Sequence, residues 1–416
     1  MADFAKLPNS LYMDPAKVSS FKAIRRVGAA LHAGRQWTVS PSGVKAWSRL
    51  MPGLQRRLGR PPLSDLTQVR RLGVLRPDGM GDMVLTTGML RELRRQLPKT
   101  RITLICQASW AAWMRTCPWV DEVVDVGMTS SVGFGEPKRL LELLRFAKRV
   151  WPLELEVLVQ PGTLYWYVPS RALAWFSGAP VRLCWEDPDS GVDTGGGFHT
   201  HNLPYPNGWH ETDKCFRMLE AMGLKGEGRR LDTWWTPEDA RRGAEIAREA
   251  RRGRRKLVAL GLAASEPPKR WRRQRYLEVI REVGTRRDAA FLALGGPDVD
   301  ETCRWLSERV PGLVTYAGDR LPLGVIWAAI AQCDLYLGND SGFMHMAAAA
   351  RIPVVVVIGV ADGARPGTRG DPSHTGPCDT LSRVVRPPAG TASDMEPDTA
   401  LVAADAVATA TLELLS

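Results

Sequence analysis

The stretch RRLGVLRPDGMGDMVLTTGMLR, residues 70–91, decides the fold. An apolar run at 72–75 leads into a turn rich in Gly and Asp, and an amphipathic run begins at Asp82. This order predicts a strand, a tight loop and the first turn of a helix. In α/β sheets, ligands bind at the loops that follow the carboxyl ends of strands. Asp82 therefore has two interpretations, a carboxylate that accepts a proton in a ligand crevice or a cap of its own helix.

The same alternation of strand and helix continues along the chain. Strand-like runs lie at 71–76, 101–107, 122–126, 154–160, 180–185, 256–262, 289–295, 313–317, 334–338 and 353–359. Helix-like runs lie at 82–97, 108–116, 137–150, 167–177, 209–223, 236–252 (capped at Thr236), 273–285, 298–309, 322–332, 342–350 and 399–415. Strands separated by helices predict parallel sheets that are covered on both faces. Because 416 residues exceed the usual size of one domain, we expect an α/β fold with two domains, at 70–235 and 236–416, after an extension at 1–69.

The extension is basic, which indicates an acidic partner. Residues 1–70 hold four Lys and eight Arg against three Asp and no Glu, which is most of the net charge of +11. Anionic lipid, a phosphorylated substrate and nucleic acid all fit this charge. Residues 16–33 have the spacing of a basic amphipathic helix, which would lie on an anionic membrane surface, pack on the following domain or form a loosely ordered arm.

Several classes of protein are disfavoured by missing motifs. The chain has no GxxxxGK[ST], no strand-associated GxGxxG and no GxSxG, and the basic run RRGRR at 251–255 has no interleaved aromatic residue. We therefore expect no nucleic-acid partner.

Local structure explains two DxD triplets, at 187–189 and 298–300, so we predict no metal site. Seven scattered Cys without a CxxC pair, and no signal peptide or membrane span, predict a cytoplasmic protein.

The strongest local signal for a ligand is LYLGNDSGFMHMAAAA, residues 335–350. A strand ends here and a helix rich in small residues begins, so the free N–H groups at Ser341 and Gly342 would bind a phosphate or diphosphate. Asp340 would accept a hydrogen bond from a sugar hydroxyl, and His345 lies one turn into the helix. The alternative is an ordinary strand-to-helix turn with a histidine in the core.

Two weaker motifs follow other strands of the second domain. GLAASEPPKRW at 261–271 offers backbone N–H groups and the charges of Lys269 and Arg270, and its alternative is a solvated basic turn. LGGPDVDE at 294–301 places acids at a helix start, where acids either bind a ribose hydroxyl or satisfy the helix dipole.

With these motifs in order, the chain resembles glycosyltransferase family 9, the ADP-heptose:lipopolysaccharide heptosyltransferases, over roughly residues 70–415. The resemblance is carried by MGDMVLTTGMLRELRRQLP (80–98), HETDKCFRMLEAMGL (210–224), KRW (269–271), GGPDVDE (295–301) and NDSGFMHMAAAARIPVVVVIG (339–359). It implies a GT-B architecture, in which two Rossmann-like domains face a central cleft, with the acceptor in the N-terminal domain and the nucleotide sugar in the C-terminal one. It also implies inverting, metal-independent transfer without a cofactor, from ADP-heptose to a lipopolysaccharide core or another acidic glycolipid.

The resemblance assigns roles residue by residue. Asp82 takes the position of the catalytic base. The donor positions fall on Ser265, Lys269, Asp300 or Glu301, Asp340, Ser341, Gly342 and His345. Two departures leave the donor open. A pair of threonines in some members is Ala264-Ser265 here, and the Gly-Pro-Thr after the last strand is Gly359-Val-Ala.

The prediction of acceptor-binding residues rests on their positive charge. Lys138, Arg139 and Arg145 on the helix after the third strand would bind the phosphates and carboxylates of an acidic glycolipid, and the alternative is a solvated basic helix face. Such an acceptor places the enzyme at the inner face of the cytoplasmic membrane. A transferase with another sugar or a protein acceptor, and a non-catalytic nucleotide-binding protein, are the competing hypotheses.

Overall fold

The computed structural model describes residues 66–127, 137–162, 167–185, 199–204, 208–226, 230–318, 320–362, 370–391 and 398–416. The predicted helix at 16–33, the acids of the first DxD triplet and the side chain of Arg139 lie outside the described residues.

The described residues contain twelve strands and thirteen α-helices. The strands are β1 (Arg71–Arg76), β2 (Arg101–Cys106), β3 (Glu122–Asp125), β4 (Val157–Val159), β5 (Val181–Trp185), β6 (His201–Leu203), β7 (Lys256–Gly261), β8 (Ala289–Leu294), β9 (Val314–Tyr316), β10 (Leu335–Asn339), β11 (Val354–Val357) and β12 (Ser382–Val385). The helices are α1 (Met80–Leu85), α2 (Thr87–Gln96), α3 (Ala108–Met114), α4 (Pro137–Val150), α5 (Tyr167–Phe176), α6 (Glu211–Ala221), α7 (Pro237–Arg251), α8 (Arg273–Arg287), α9 (Asp300–Arg309), α10 (Leu323–Ile330), α11 (Gly342–Ala349), α12 (Pro372–Thr375) and α13 (Ala404–Leu414).

The strands form two parallel six-stranded sheets with the same topology. Their orders are β3-β2-β1-β4-β5-β6 and β12-β11-β10-β7-β8-β9, each the strand order of a Rossmann fold. In the first sheet Leu72 of β1 pairs with Ile102 of β2 and Val157 of β4. The predicted α/β class with two Rossmann-like domains is confirmed. The order reverses between β1 and β4 and between β7 and β10, and ligands of such sheets bind at the carboxyl ends of the strands there.

The central strands read as apolar runs because helices cover both faces of each sheet. In the second sheet, β7, β8 and β11 bury all or nearly all of their side chains. Tyr276 and Ile280 of α8 and Val407 of α13 pack against this core. In the first sheet, Phe146 of α4 and Leu173 of α5 pack in a separate core.

The chain divides into two compact units that are discontinuous in sequence. The first unit holds residues up to 78, then 89–207 and 214–226, and the second holds 79–88, 208–213 and 227–416. The chain therefore passes between the units five times. Helix α1, which follows the first strand of the first unit, belongs to the second unit. The domain limits at 69 and 235 remain a prediction.

Two details differ from the sequence pattern. The run predicted as one helix at 82–97 is two helices, because Thr86 and Thr87 donate side-chain hydrogen bonds to the carbonyls of Asp82 (2.8 Å) and Val84 (2.7 Å) and interrupt the helix. The edge strands β6 and β12 were not predicted. They are three and four residues long and only partly buried, so they carry no apolar run. No helix in the part of the chain that the structure describes is long and apolar enough to cross a membrane.

Candidate active site

The loops that follow β7 and β10 are joined by one buried amide. Asn339 donates from Nδ2 to the carbonyl of Leu262 at 2.8 Å, and its Oδ1 accepts from the Trp271 backbone and the Tyr276 hydroxyl, each at 3.0 Å. A buried amide with all these partners fixes the spacing of the segments it joins. Asn339 is a residue type favoured at helix N-caps, and the sequence indicated no other role for it. Its actual role as a brace could be suspected from a polar residue at the end of an apolar strand.

Lys269 and Asp340, both predicted for the donor site, form an ion pair across these loops. Their Nζ and Oδ2 atoms are 2.8 Å apart, and the two side chains are 14% and 10% exposed. Burial raises the pKa of Asp340, but Lys269 and His345 outweigh this effect and hold that pKa below its ordinary value. Asp340 is therefore an ionised carboxylate next to a cation, positioned to accept a hydrogen bond.

Helix α11 begins where β10 ends. Ser341 is the N-cap residue, with an extended backbone (φ −154°, ψ 171°), and its carbonyl accepts from the Met344 N–H at 3.1 Å. The side chain does not cap the helix, since Ser341 Oγ lies 3.3 Å from the Tyr336 hydroxyl. The first N–H groups of a helix have no partner within it, and the helix dipole adds positive charge there. This end of α11 has the properties of an anion site.

His345 lies one turn into α11 and is only 4% exposed. Its Nδ1 atom has no hydrogen-bond partner among the described residues. Burial lowers the pKa of His345 to about 4; Asp340 opposes this shift, while His210 and Lys269 add to it. The ring is therefore neutral at pH 7.

Helix α1, which carries Asp82, packs directly on the start of α11 within the second unit. A Cβ atom at Gly81 would lie 2.8 Å from Cδ2 and 3.2 Å from Nε2 of His345. A Cβ atom at Gly342 would lie 3.0 Å from Cβ and Cγ of Met80. Glycine at both positions lets the two helix ends approach this closely. The structure thus brings the predicted base and the predicted anion site together.

Both interpretations of Asp82 are compatible with its geometry. Its Oδ2 accepts from the Gly79 N–H at 3.1 Å, so the carboxylate does cap α1. The residue is only partly buried. A carboxylate has about four acceptor positions, so the capping bond does not by itself exclude a role in accepting a proton. Asp78, the other acid of this loop, instead lies 3.3 Å from the buried Arg76 guanidinium.

We expect Gly81→Ala to destabilise the protein, although alanine favours an isolated helix by about 1 kcal/mol. The added methyl group would overlap the His345 ring, and overpacking of this kind costs roughly 1–3 kcal/mol. Urea unfolding measures the change. Gly79→Ala is the matched control, because its methyl group would meet only Asp82 Oδ2, at an ordinary 3.4 Å. Equal stability of the two variants would show that α1 is not packed on His345.

We expect His345 to give the protein a pH-dependent stability. Its pKa is about 4 when folded and 6.5 in the unfolded chain, so between these values only the unfolded chain binds the proton. The free energy of unfolding should therefore decrease as pH falls from about 7, by roughly 2 kcal/mol at about pH 5. His345→Gln should remove this part of the decrease, whereas a change at the exposed His201 should not. An unaltered pH profile for His345→Gln would contradict the assignment.

Two of the three remaining predicted donor residues are held by other contacts. Ser265 is exposed. Asp300 accepts from Arg304 Nε at 2.9 Å and from the Tyr316 hydroxyl at 2.7 Å, and these two hydrogen bonds lower its pKa. Glu301 is 89% exposed and lies 2.9 Å from Arg273.

Two further residues connect parts of the site, of which the sequence indicated Arg270 only as a charge of the turn at 261–271. Arg270 connects the loops after β7 and β8, because it donates to the Ala264 carbonyl at 3.1 Å and to Asp298 Oδ2 at 2.9 Å. His210 accepts from the Thr212 N–H at its Nδ1, and its Nε2 lies 3.1 Å from the Gly376 carbonyl. These bonds place the His210 proton on Nε2. The Asp298 carboxylate and the Gly376 carbonyl lie 28 and 166 positions away in sequence, so no local pattern indicated these two contacts.

The predicted acceptor residues lie on α4 in the first unit. Lys138 and Arg145 are exposed. Their side chains point away from the core, which is filled from the other side of the helix by Leu143 and Phe146. Exposure of this kind fits a cationic binding surface and also a solvated helix face.

Comparison with known proteins adds to this geometry. Residues 166–382, just over half of the chain, match the family described as glycosyltransferase family 9 (heptosyltransferase). The match includes the Lys269–Asp340 pair and α11, and it begins after Asp82. A search of curated proteins gave no match.

Solved structures with the same fold include members of this family. A glycosyl transferase family 9 protein from Veillonella parvula DSM 2008 is 20% identical, with a TM-score of 0.68 over 85% of this chain and 99% of that one. The E. coli ADP-heptose lps heptosyltransferase II is 17% identical, with a TM-score of 0.60 over 83% and 98%. The E. coli heptosyltransferase WaaC with ADP is 16% identical, with a TM-score of 0.58 over 82% and 96%. From its GT-B fold and the family match, the chain belongs to glycosyltransferase family 9 and is a glycosyltransferase of the heptosyltransferase type.

Proposed function

We propose that this protein is an inverting, metal-independent transferase that moves a heptose from ADP-heptose to an acidic glycolipid acceptor of the lipopolysaccharide core type. One observation carries the proposal: the Asp82 helix packs on the start of α11, in the same compact unit as the Lys269–Asp340 pair. A carboxylate, an anion site and a fixed cation are the groups that transfer from a nucleotide diphosphate sugar requires.

In this proposal the donor diphosphate binds at the start of α11. The N–H groups at Ser341 and Gly342 donate to its oxygens, and Lys269 and Ser265 add a charge and a hydroxyl. Asp340 keeps Lys269 oriented and accepts from a hydroxyl of the sugar. Asp300 or Glu301 accepts from the ribose hydroxyls.

Asp82 acts as the general base. It takes the proton of the acceptor hydroxyl while that oxygen bonds to the anomeric carbon from the face opposite the leaving group. The bond between the anomeric carbon and the diphosphate oxygen breaks, and ADP leaves with the electron pair. Lys269 and the N–H groups of α11 stabilise the charge that develops on the diphosphate. His345 stays neutral, so it keeps one nitrogen as donor and one as acceptor beside this centre.

We assign the acceptor to the region 70–235 and the donor to the region 236–416. Helix α1, which carries the proposed base Asp82, lies within the region 70–235 in sequence. Lys138, Arg139 and Arg145 would bind the phosphates and carboxylates of the acceptor. An acceptor of this kind places the protein in the cytoplasm, at the inner face of the cytoplasmic membrane.

A second candidate is the same chemistry with a different donor. It is favoured by the absence of two hydroxyl groups, since Ala264 stands where some members of the family have threonine and Ala361 stands where threonine often follows the last strand. Losing hydroxyl contacts alters which sugar or nucleobase is preferred. It does not remove the general base Asp82 or the anion site at the start of α11.

A donor screen tests both candidates. Thermal unfolding is measured with ADP-, UDP-, GDP- and CDP-sugars at one concentration, and a donor that binds more tightly raises the midpoint further. We expect the largest rise with ADP-heptose, followed by release of ADP when extracted core glycolipid is added. A larger rise with another nucleotide sugar would establish the second candidate. No rise with any of them would contradict both.

A further inference from the structure

Helix α4 presents a row of apolar side chains on the molecular surface. Five large apolar residues are exposed in the part of the chain that the structure describes. Three of them, Leu141 (46%), Leu144 (49%) and Trp151 (49%), lie on α4 or on the turn that directly follows it. Their spacing of three and seven residues places them on one side of the helix. A cluster of exposed apolar residues marks a contact surface, whereas single ones do not.

The opposite side of α4 fixes the helix in place. Leu143, Phe146, Ala147 and Val150 are buried in the core of the first unit. Trp151 donates from Nε1 to the carbonyl of Phe176 at 2.8 Å, which holds the indole ring at the surface. The exposed side chains therefore belong to a firmly packed helix. This helix cannot turn to bury them in the first unit, because its other side already fills the core.

Cations surround this apolar row. Lys138, Arg145 and Lys148 are exposed and make no ion pair with any residue that the structure describes. The one acidic residue of α4, Glu142, is buried. The exposed side of α4 is thus apolar and positively charged, and no acid on the helix neutralises it at the surface.

We infer that this docking face, formed by Lys138, Leu141, Leu144, Arg145, Lys148 and Trp151, binds an anionic membrane surface. The leucines enter the boundary between headgroups and acyl chains, the cations meet anionic headgroups, and tryptophan prefers this interface. The inference deepens the proposed function, since Lys138 and Arg145 are also the proposed acceptor cations, and a lipid-linked acceptor lies in such a surface.

The charge argues against the chain's own N-terminal region as the occupant. Residues 1–65 hold four Lys and seven Arg against three Asp, so they repel a face that is itself cationic. An anionic lipid surface offers both the opposite charge and an apolar layer, and the docking face requires both.

Vesicle flotation of the full chain tests the inference. Wild-type protein should bind phosphatidylcholine vesicles that contain phosphatidylglycerol and should not bind vesicles of phosphatidylcholine alone. Leu141→Ser with Leu144→Ser, and separately Lys148→Glu, should each weaken binding to the anionic vesicles about fivefold or more.

Two matched controls use the same chemistry elsewhere. Leu381→Ser with Leu401→Ser removes the other two exposed leucines, and Lys99→Glu reverses an exposed charge of the first unit. Both should bind like the wild type. Wild-type binding by the α4 variants would overturn the inference. So would a lowered unfolding temperature of the Leu141 and Leu144 variant with unchanged vesicle binding, because that result means the chain itself covers the face.

The vesicle experiment is independent of sugar transfer. If the donor screen fails while the α4 variants lose vesicle binding, the docking face stands and the proposed chemistry does not. If the donor screen succeeds and the variants bind like the wild type, only the docking face is wrong.

Discussion

Asp82→Asn is expected to lower turnover by about 10²–10⁴-fold, which is the usual contribution of a general base. The amide cannot accept the proton of the acceptor hydroxyl. It can still accept from the Gly79 N–H, as Oδ2 of Asp82 does at 3.1 Å, so α1 keeps its cap. Single-turnover kinetics with saturating donor measures the loss. Thermal unfolding with and without nucleotide sugar shows that folding and donor binding persist.

Asp82→Ala separates capping from catalysis. It removes the cap as well as the base, and loss of a cap costs about 1 kcal/mol of stability. We therefore expect alanine and asparagine to be equally inactive but unequally stable. Turnover near that of the wild type in Asp82→Asn would show that the carboxylate serves α1 alone and that another group accepts the proton.

Lys269→Met is expected to lower stability more than any other variant proposed for this protein. It is also expected to weaken donor binding. Removing the cation leaves the Asp340 carboxylate largely buried without its partner at 2.8 Å. Breaking a buried pair in this way costs roughly 3 kcal/mol, near the low end for buried pairs because both side chains keep some exposure. Donor affinity should fall about tenfold or more, since the diphosphate loses a charge-assisted contact. Urea unfolding and calorimetry measure the two effects.

Two further variants separate these effects. Adding Asp340→Asn to Lys269→Met removes the isolated charge, so stability should recover while donor affinity stays low. Arg272→Met removes a neighbouring positive charge that is exposed, and its effect should stay within about 0.5 kcal/mol. Normal donor binding by Lys269→Met would exclude Lys269 from the diphosphate site.

The sequence was sufficient for the fold and for the proximity of Lys269 and Asp340. Apolar runs alternating with amphipathic runs are local patterns, and they predicted ten of the twelve strands. The donor motifs follow β7 and β10, so the Rossmann strand order brings Lys269 and Asp340 together.

The rest depends on contacts between distant residues. The side chain of Asn339 forms hydrogen bonds with residues 262, 271 and 276, and no residue near Asn339 in sequence indicates these partners. The contact of Gly81 with His345 joins residues more than 260 positions apart. Short edge strands such as β6 are defined by the neighbour they pair with, so they too were missed.

The position of α1 has a consequence for hybrid enzymes. A hybrid joined after residue 226 would take its base helix from one parent and the His345 surface beneath that helix from the other. Any mismatch at that contact would misplace Asp82, the proposed base, even if each parental half folded well. Exchanging residues 79–88 and 208–213 together with the C-terminal part would keep the base and the anion site as one inherited set. Proteins that change their acceptor by recombination would then have to inherit these two short segments together with the C-terminal part.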